Sequence, residues 1–193
     1  MEFVPCFTVH VMNLPKRSVD INIKHCEFTQ KNLNTPDVQG EIDVVRIDLE
    51  GKTIYLCEVA IHLTIGLQYV KNNKPNNIEK LVEKFSKDIE YAKKYFQDYK
   101  IHVMLWSPVV KETPNAKHNQ MDDVRLIKSK IMEKYGIDVE LIINEKFLLC
   151  LEDLRNYARM ETKDIKSPVI RLMQVEEYLK KHIKKSSAVL PNI

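Results

Sequence analysis

The sequence predicts an α/β domain with a mixed β-sheet flanked by helices and a C-terminal helical extension. Two β-branched, aromatic-rich runs at 40–48 and 52–63 flank a short turn and predict a β-hairpin. Strand and helix patterns then alternate along the chain, which requires at least one parallel strand pair. A length of 193 residues suits one domain with an appendage. We therefore expect a core at 1–145 and a helical extension at 146–193 that packs on or decorates it.

The first 39 residues give the weakest secondary-structure signal of the chain. Alternating apolar residues predict short strand-like pieces at 7–11 and 19–23, and the NTPD segment at 34–37 predicts a turn. Apolar spacing and capping residues predict the elements that follow the hairpin. These are a helix at 77–97, a strand at 100–106, a helix at 121–135 capped by Gly136, a strand at 137–143, a helix at 148–160 and a helix that begins at Pro168.

Composition excludes several classes of protein. A hydrophobic fraction of 44% and a net charge of +3 exclude a wholly disordered chain. Only 4 glycines are present, which argues against a glycine-rich phosphate loop. There is no apolar run of about 18 residues that could span a membrane. The basic residues near the N-terminus follow the apolar stretch, which is the reverse of a signal peptide. No two of the four cysteines have the C-x-x-C spacing of a metal or redox pair. We expect a soluble, cytoplasmic protein with no signal peptide and buried free thiols.

The predicted hairpin concentrates acidic residues on one face. A turn closed by Leu49 and Lys52 places Asp43 directly opposite Glu58 and puts Glu41 on the same face. A three-residue loop would change this parity. In the favoured register the rest of the face is apolar, formed by Val45, Ile47, Ile54, Leu56 and Ala60.

Carboxylates that face one another destabilise a sheet, and burying them unpaired costs more. A bound Mg²⁺ or Mn²⁺ would relieve both problems, because these ions prefer carboxylate, carbonyl and water oxygens. The alternative is that the acids face solvent at the end of the sheet and pair with some of the 30 lysines and arginines.

Two short motifs resemble the core of the PD-(D/E)XK nuclease superfamily. The segment Gly40-Glu41-Ile42-Asp43 is similar to its first motif strand, and Glu58-Val59 is similar to the second. The resemblance covers roughly residues 20–145 and implies a restriction-endonuclease-like fold with metal-dependent hydrolysis of a DNA phosphodiester. It also implies that Asp43, Glu58 and the Val59 main-chain carbonyl hold Mg²⁺ (or Mn²⁺), with Glu41 nearby.

The chain departs from this motif at the lysine. Ala60 stands where the superfamily has a lysine that contacts the attacking water or the transition-state charge. We rank His62 first as its catalytic substitute, because strand parity places it on the acidic face. The other candidates are Gln68, Lys71, Lys80 and Lys84. The N-terminal helix of the superfamily, which often supplies an acid, is also missing; Glu27 is the available acid, and Asp37 is an alternative metal ligand.

DNA is the expected partner, and no membrane partner is expected. The polar segment 62–80 is a candidate DNA-contacting loop through Gln68, Lys71, Lys74 and main-chain amides. A homodimer is compatible with the sequence. Two other functions stay open: a catalytically inactive nuclease fold kept for DNA binding or assembly, and an unrelated small α/β protein whose acids are surface charges.

Overall fold

A computed structural model of the chain describes residues 20–30, 38–71, 74–113, 119–163 and 167–183. The strand-like piece expected at 7–11 and the turn expected at 34–37 lie outside this part. The strands are β1 (Asp20–Gln30), β2 (Val38–Asp48), β3 (Thr53–Val59), β4 (Val70–Lys71), β5 (Lys74–Pro75), β6 (Lys100–Ser107) and β7 (Val139–Ile143). The helices are α1 (Asn77–Tyr95), α2 (Gln120–Tyr135), α3 (Asn144–Met160) and α4 (Pro168–Ile183).

Five strands form one mixed sheet in the order β1-β2-β3-β6-β7. The first three are antiparallel neighbours, whereas β3–β6 and β6–β7 are parallel pairs. Each parallel pair is joined through a helix, α1 for the first and α2 for the second. The two-residue strands β4 and β5 pair separately. The predicted α/β fold with a mixed sheet flanked by helices is confirmed.

The β2–β3 hairpin has the predicted register. Asp48 pairs with Thr53 and Val44 pairs with Cys57, as a turn closed by Leu49 and Lys52 requires. The Asp48 carboxylate accepts a hydrogen bond of 2.9 Å from the Gly51 N–H and so closes the turn. The apolar half of the predicted face, at 45, 47, 54 and 56, is buried.

The second hairpin strand is shorter than predicted. It was expected to run to residue 63, but β3 ends at Val59. The Ala60 N–H donates to the Trp106 carbonyl at 2.9 Å, and the chain then turns, with a Gly66 N–H to His62 carbonyl bond of 3.1 Å. Alternation continues in the sequence, but no strand of the described part pairs with it here. The strand assignment at 60–63 is therefore wrong.

Helices cover both faces of the sheet. Leu105 packs in the core with Leu81 and Phe85 of α1. Trp106, the next residue of β6, points to the opposite face and meets the Phe147 ring of α3 edge-on, with ring centroids 6.1 Å apart. Helix α1 contacts β2, β3 and β6 on its side. It is this helix that reaches the acidic end of the hairpin.

The boundaries of the later helices agree with the sequence except at α3. Gly136 caps α2 with φ of 68°, as predicted. Helix α3 begins at Asn144, four residues before the predicted start at 148. The sequence pattern missed this first turn because its first three residues are polar and carry no apolar periodicity. The Asn144 side chain instead bonds the Val110 N–H at 2.8 Å and the Val110 carbonyl at 3.0 Å.

The C-terminal helices form a pair: α3 contacts β6 and β7, and α4 packs on α3. The division of the chain at residue 145 stays a prediction. Of the cysteines with described side chains, Cys57 is buried and Cys150 is half-buried, and both are free thiols. Within the ranges that the structure covers, no helix is both long and apolar enough to cross a membrane.

Candidate functional site

Two carboxylates meet at the carboxyl end of β3. Asp43 and Glu58 lie one step beyond the last paired residues of the hairpin, Val44 and Cys57. The Asp43 Oδ2 accepts a hydrogen bond of 2.7 Å from the Val59 N–H. Its side chain keeps 22% of its surface exposed, whereas that of Glu58 keeps 1%. One carboxylate is therefore open to solvent and its neighbour is buried beneath it.

A lysine from α1 lies between the two carboxylates. The Lys84 ammonium donates a hydrogen bond to Glu58 Oε2 and lies 3.9 Å from Asp43 Oδ2. Leu81 and Phe85, on either side of it along the helix, are fully buried and fix the rotation of α1 against the sheet. The alternative that both acids face solvent is wrong for Glu58, which is buried and paired.

Burial and the ion pair have opposite effects on the pKa of Glu58 and on the pKa of Lys84. Burial raises the pKa of Glu58, and contact with the Lys84 ammonium opposes that rise. Burial lowers the pKa of Lys84, but its hydrogen bond to Glu58 and the negative charges of Glu58 and Asp43 outweigh this, so the net shift is upward. Lys84 is consequently a permanent cation at neutral pH and cannot serve as a general base.

Asp88 is a third carboxyl group at the site, one helical turn beyond Lys84. It is 1% exposed. Its Oδ2 and the Oε1 of Glu58 are both buried, and neither has a hydrogen-bond donor if both groups are ionised. Burial and the adjacent negative charge of Glu58 raise the pKa of Asp88 to about 9. A protonated Asp88 that donates to Glu58 satisfies both oxygens.

Replacing Asp88 with asparagine is expected to flatten the dependence of stability on pH. The folded state holds the Asp88 proton up to about pH 9, whereas the unfolded chain releases it near pH 4. Raising the pH between these values therefore destabilises the wild type by up to about 1.4 kcal/mol per pH unit. The asparagine side chain keeps a donor toward Glu58 and does not titrate. In urea unfolding at pH 5, 7 and 9, the free energy of unfolding of Asp88→Asn should rise relative to that of the wild type at each step.

Asp122→Asn serves as the control, since this carboxylate is 64% exposed. It should follow the wild-type curve. Parallel pH profiles for Asp88→Asn and the wild type would show that Asp88 is ionised in the folded protein.

The structure places the other candidates in different surroundings. His62 and Gln68 are exposed in the loop after β3. Ala60 is 3% exposed, so no solvent-facing lysine is simply missing at its position. Lys80 is exposed on α1. Among the described side chains, Lys84 is the cation that contacts both carboxylates, and the parity argument that ranked His62 first fails because β3 ends before it.

Three expected site residues lie partly outside the described structure. The backbones of Glu41, Lys71 and Lys74 are placed in β2, β4 and β5, and Glu41 pairs with Glu27 of β1. The side chains of Glu41, Lys71, Lys74 and Glu27 are outside the described part, as is Asp37 altogether.

Sequence reasoning missed Asp88 and the place of Tyr69. Tyr69 is half-buried against the core. Burial raises its pKa, and its phenol lies within the electrostatic reach of Lys84, Glu58 and Asp43. An aspartate inside the apolar stripe of α1, between Phe85 and Ile89, was the available signal for Asp88.

The donor set fits a hydrated Mg²⁺. No group of three or more His, Cys, Asp or Glu side chains in the described ranges is arranged to hold a metal ion. Mg²⁺ does not require one, because it usually keeps several waters and takes one or two carboxylates together with substrate phosphates. Asp43 offers a partly exposed carboxylate to such an ion; Glu58 lies beside it, but its Oε1 is buried and accepts the hydrogen bond from Asp88.

No family model matches this chain, and no curated protein or solved structure matches it either.

Proposed function

We propose that this protein hydrolyses DNA phosphodiester bonds with Mg²⁺ or Mn²⁺, as a nuclease of the PD-(D/E)XK type. The observation that carries the proposal is the Lys84 ammonium lying against the Glu58 and Asp43 carboxylates. It supplies from α1 the charge that the strand motif lacks at Ala60. Two acids and a lysine are the side chains that such hydrolysis needs.

Each residue has a distinct role in the proposed reaction. Asp43 and Glu58, together with the Val59 carbonyl and with Glu41 nearby, would hold the metal ion. A bound divalent ion would polarise the phosphate and lower the pKa of an attacking water. Lys84 stays protonated and stabilises the negative charge that develops on the phosphate. The Val59 N–H fixes Asp43 through their 2.7 Å hydrogen bond.

The order of elements around the site also supports the proposal. An antiparallel β1–β2–β3 unit is followed by α1 and then by β6, which is parallel to β3. In the superfamily that the sequence resembles, the two motif strands are likewise followed by an amphipathic helix and a further strand. DNA as partner, through Gln68, Lys71 and Lys74 after β3, is part of the same proposal.

Cleavage is expected only when a divalent ion is present. Plasmid, nicked and branched DNA are incubated with the full chain in EDTA, and then in excess Mg²⁺, Mn²⁺ or Ca²⁺. We expect cleavage with Mg²⁺ and Mn²⁺ and none in EDTA. Isothermal titration of Mn²⁺ into the protein, without DNA, measures binding of the ion separately.

Two results count against the proposal. Absence of both metal binding and cleavage leaves Asp43 and Glu58 as a structural ion pair with Lys84. Binding of metal and DNA without cleavage of any substrate favours the inactive nuclease fold, a module for DNA binding or assembly.

A further inference from the structure

The loop that follows β3 starts and returns beside the carboxylates. We call residues 60–70 the site loop. It begins at Ala60, directly after the metal-binding motif, where the Ala60 N–H bonds the Trp106 carbonyl. Near its end Tyr69 lies within electrostatic reach of Glu58 and Asp43. Both ends of the site loop therefore lie near the proposed reaction centre.

Two side chains from other elements hold the site loop in one conformation. The Gln120 side chain donates to the Ile65 carbonyl at 2.9 Å and accepts from the Leu67 N–H at 3.1 Å. Asn77, which is buried, accepts from the Tyr69 N–H at 2.7 Å and donates to the Leu67 carbonyl at 3.2 Å.

Gly66 shows how closely the Gln120 side chain packs against the site loop. Its φ is 72°, and a Cβ there would lie 2.5 Å from Gln120 Oε1 and 3.1 Å from the Val109 carbonyl oxygen. Any other residue at position 66 would be strained by this φ and would displace the Gln120 side chain. The loop is thus a preorganised structure and not a slack connection.

This fixed loop presents apolar side chains to solvent. Ile61, Leu63 and Ile65 are 60%, 71% and 46% exposed, whereas Leu67 is fully buried and anchors the loop. A single exposed apolar side chain needs no explanation. Three within five residues, on a loop held rigid beside a reaction centre, indicate a contact surface.

The charge of the surrounding sequence indicates the occupant. No aspartate or glutamate occurs between Glu58 and Glu79, in a chain with 27 acids in 193 residues. With Lys71 and Lys74 and no acid, this segment carries a small positive charge, which favours a polyanion. Aliphatic side chains such as leucine and isoleucine insert between base steps and unstack them. Nucleic acid satisfies both the charge and the apolar surface.

We propose that the site loop packs Ile61, Leu63 and Ile65 against exposed base faces, so that the substrate is DNA with unpaired or unstacked bases beside the scissile phosphate. This inference rests on the proposed nuclease function and adds its substrate class. Continuous duplex hides its base faces and must first be unstacked at a cost in free energy, whereas a bulge, flap or junction already exposes them.

Binding in EDTA tests the substrate class without requiring cleavage. The probes are a perfect duplex and the same duplex with a two-nucleotide bulge that carries 2-aminopurine. We expect the wild type to bind the bulged probe about tenfold more tightly and to change its 2-aminopurine fluorescence. Leu63→Ser should lose this preference and the fluorescence change. Leu172→Ser is the matched control, because Leu172 on α4 is 69% exposed; it should behave as the wild type does.

The outcomes separate this inference from the nuclease proposal. Equal affinity for both probes, or a preference for the bulged probe that survives Leu63→Ser, overturns the inference. The nuclease proposal still stands in that case if the protein cleaves duplex DNA. Failure to bind or cleave any DNA overturns both. Self-association that depends on Leu63, measured by light scattering without DNA, would identify the loop as a protein interface and overturn the inference as well.

Discussion

Replacing Lys84 with methionine is expected to lower stability by about 3 kcal/mol, because it leaves the Glu58 carboxylate buried without its cation. Methionine keeps most of the aliphatic stem, so little packing is lost. For a chain of this length the corresponding fall in the midpoint of thermal unfolding is roughly 6–12 °C. Cleavage should fall by at least about a hundredfold, because the charge that stabilises the transition state is lost. Calorimetry and a cleavage time course at a temperature where both proteins stay folded measure the two effects independently.

A double variant separates the fold from the chemistry. In Glu58→Gln/Lys84→Met the buried charge is removed with its partner, and most of the stability should return. Cleavage should stay lost. Lys80→Met is the control, since Lys80 is exposed one turn earlier on α1. If Lys84→Met is no less stable than Lys80→Met, the ion pair contributes nothing to the fold.

A lysine at position 60 is not expected to be accommodated in this fold. Ala60 is buried in the core, so Ala60→Lys must overpack it or push the new ammonium toward Glu58. There it would compete with Lys84.

The register of the hairpin could be predicted because it depends on local rules. The turn length and the alternation of buried residues fix which side chains share a face, and both are visible in the sequence. Asp43 and Glu58 therefore came together as expected. The end of β3 was not predictable in this way, because it depends on where the neighbouring strand stops pairing. The same period-two pattern continues to residue 63 without a partner in the described part of the chain.

Lys84 could not be singled out because its position depends on tertiary packing. The apolar stripe shows which face of α1 is buried, and Lys84 lies at the edge of that stripe beside Phe85. It does not show which residue of β3 the edge meets. Asp88 was detectable in principle, since a carboxylate among buried apolar positions demands a partner. The hydrogen bond between Gln120 and Leu67 of the site loop joins positions 53 residues apart, so no local sequence pattern predicts it.

Asp43→Asn is expected to abolish metal-dependent cleavage while leaving the fold intact. The asparagine oxygen can still accept the Val59 N–H, so the hairpin end keeps its hydrogen bond. What is lost is the negative charge of the more exposed carboxylate of the pair. Mn²⁺ affinity and the cleavage rate in Mg²⁺ should each fall by at least about a hundredfold. The free energy of unfolding should change by less than about 1 kcal/mol.

Asp48→Asn is the matched control, because it lies on the same strand and bonds the main-chain N–H of Gly51 in a similar way. It should leave metal affinity and cleavage unchanged. If both variants cleave DNA as the wild type does, Asp43 is no ligand, and the carboxylates at the end of β3 serve only to position Lys84. A loss of cleavage in Asp43→Asn with unchanged Mn²⁺ affinity would instead assign this carboxylate to orienting Lys84 or the attacking water.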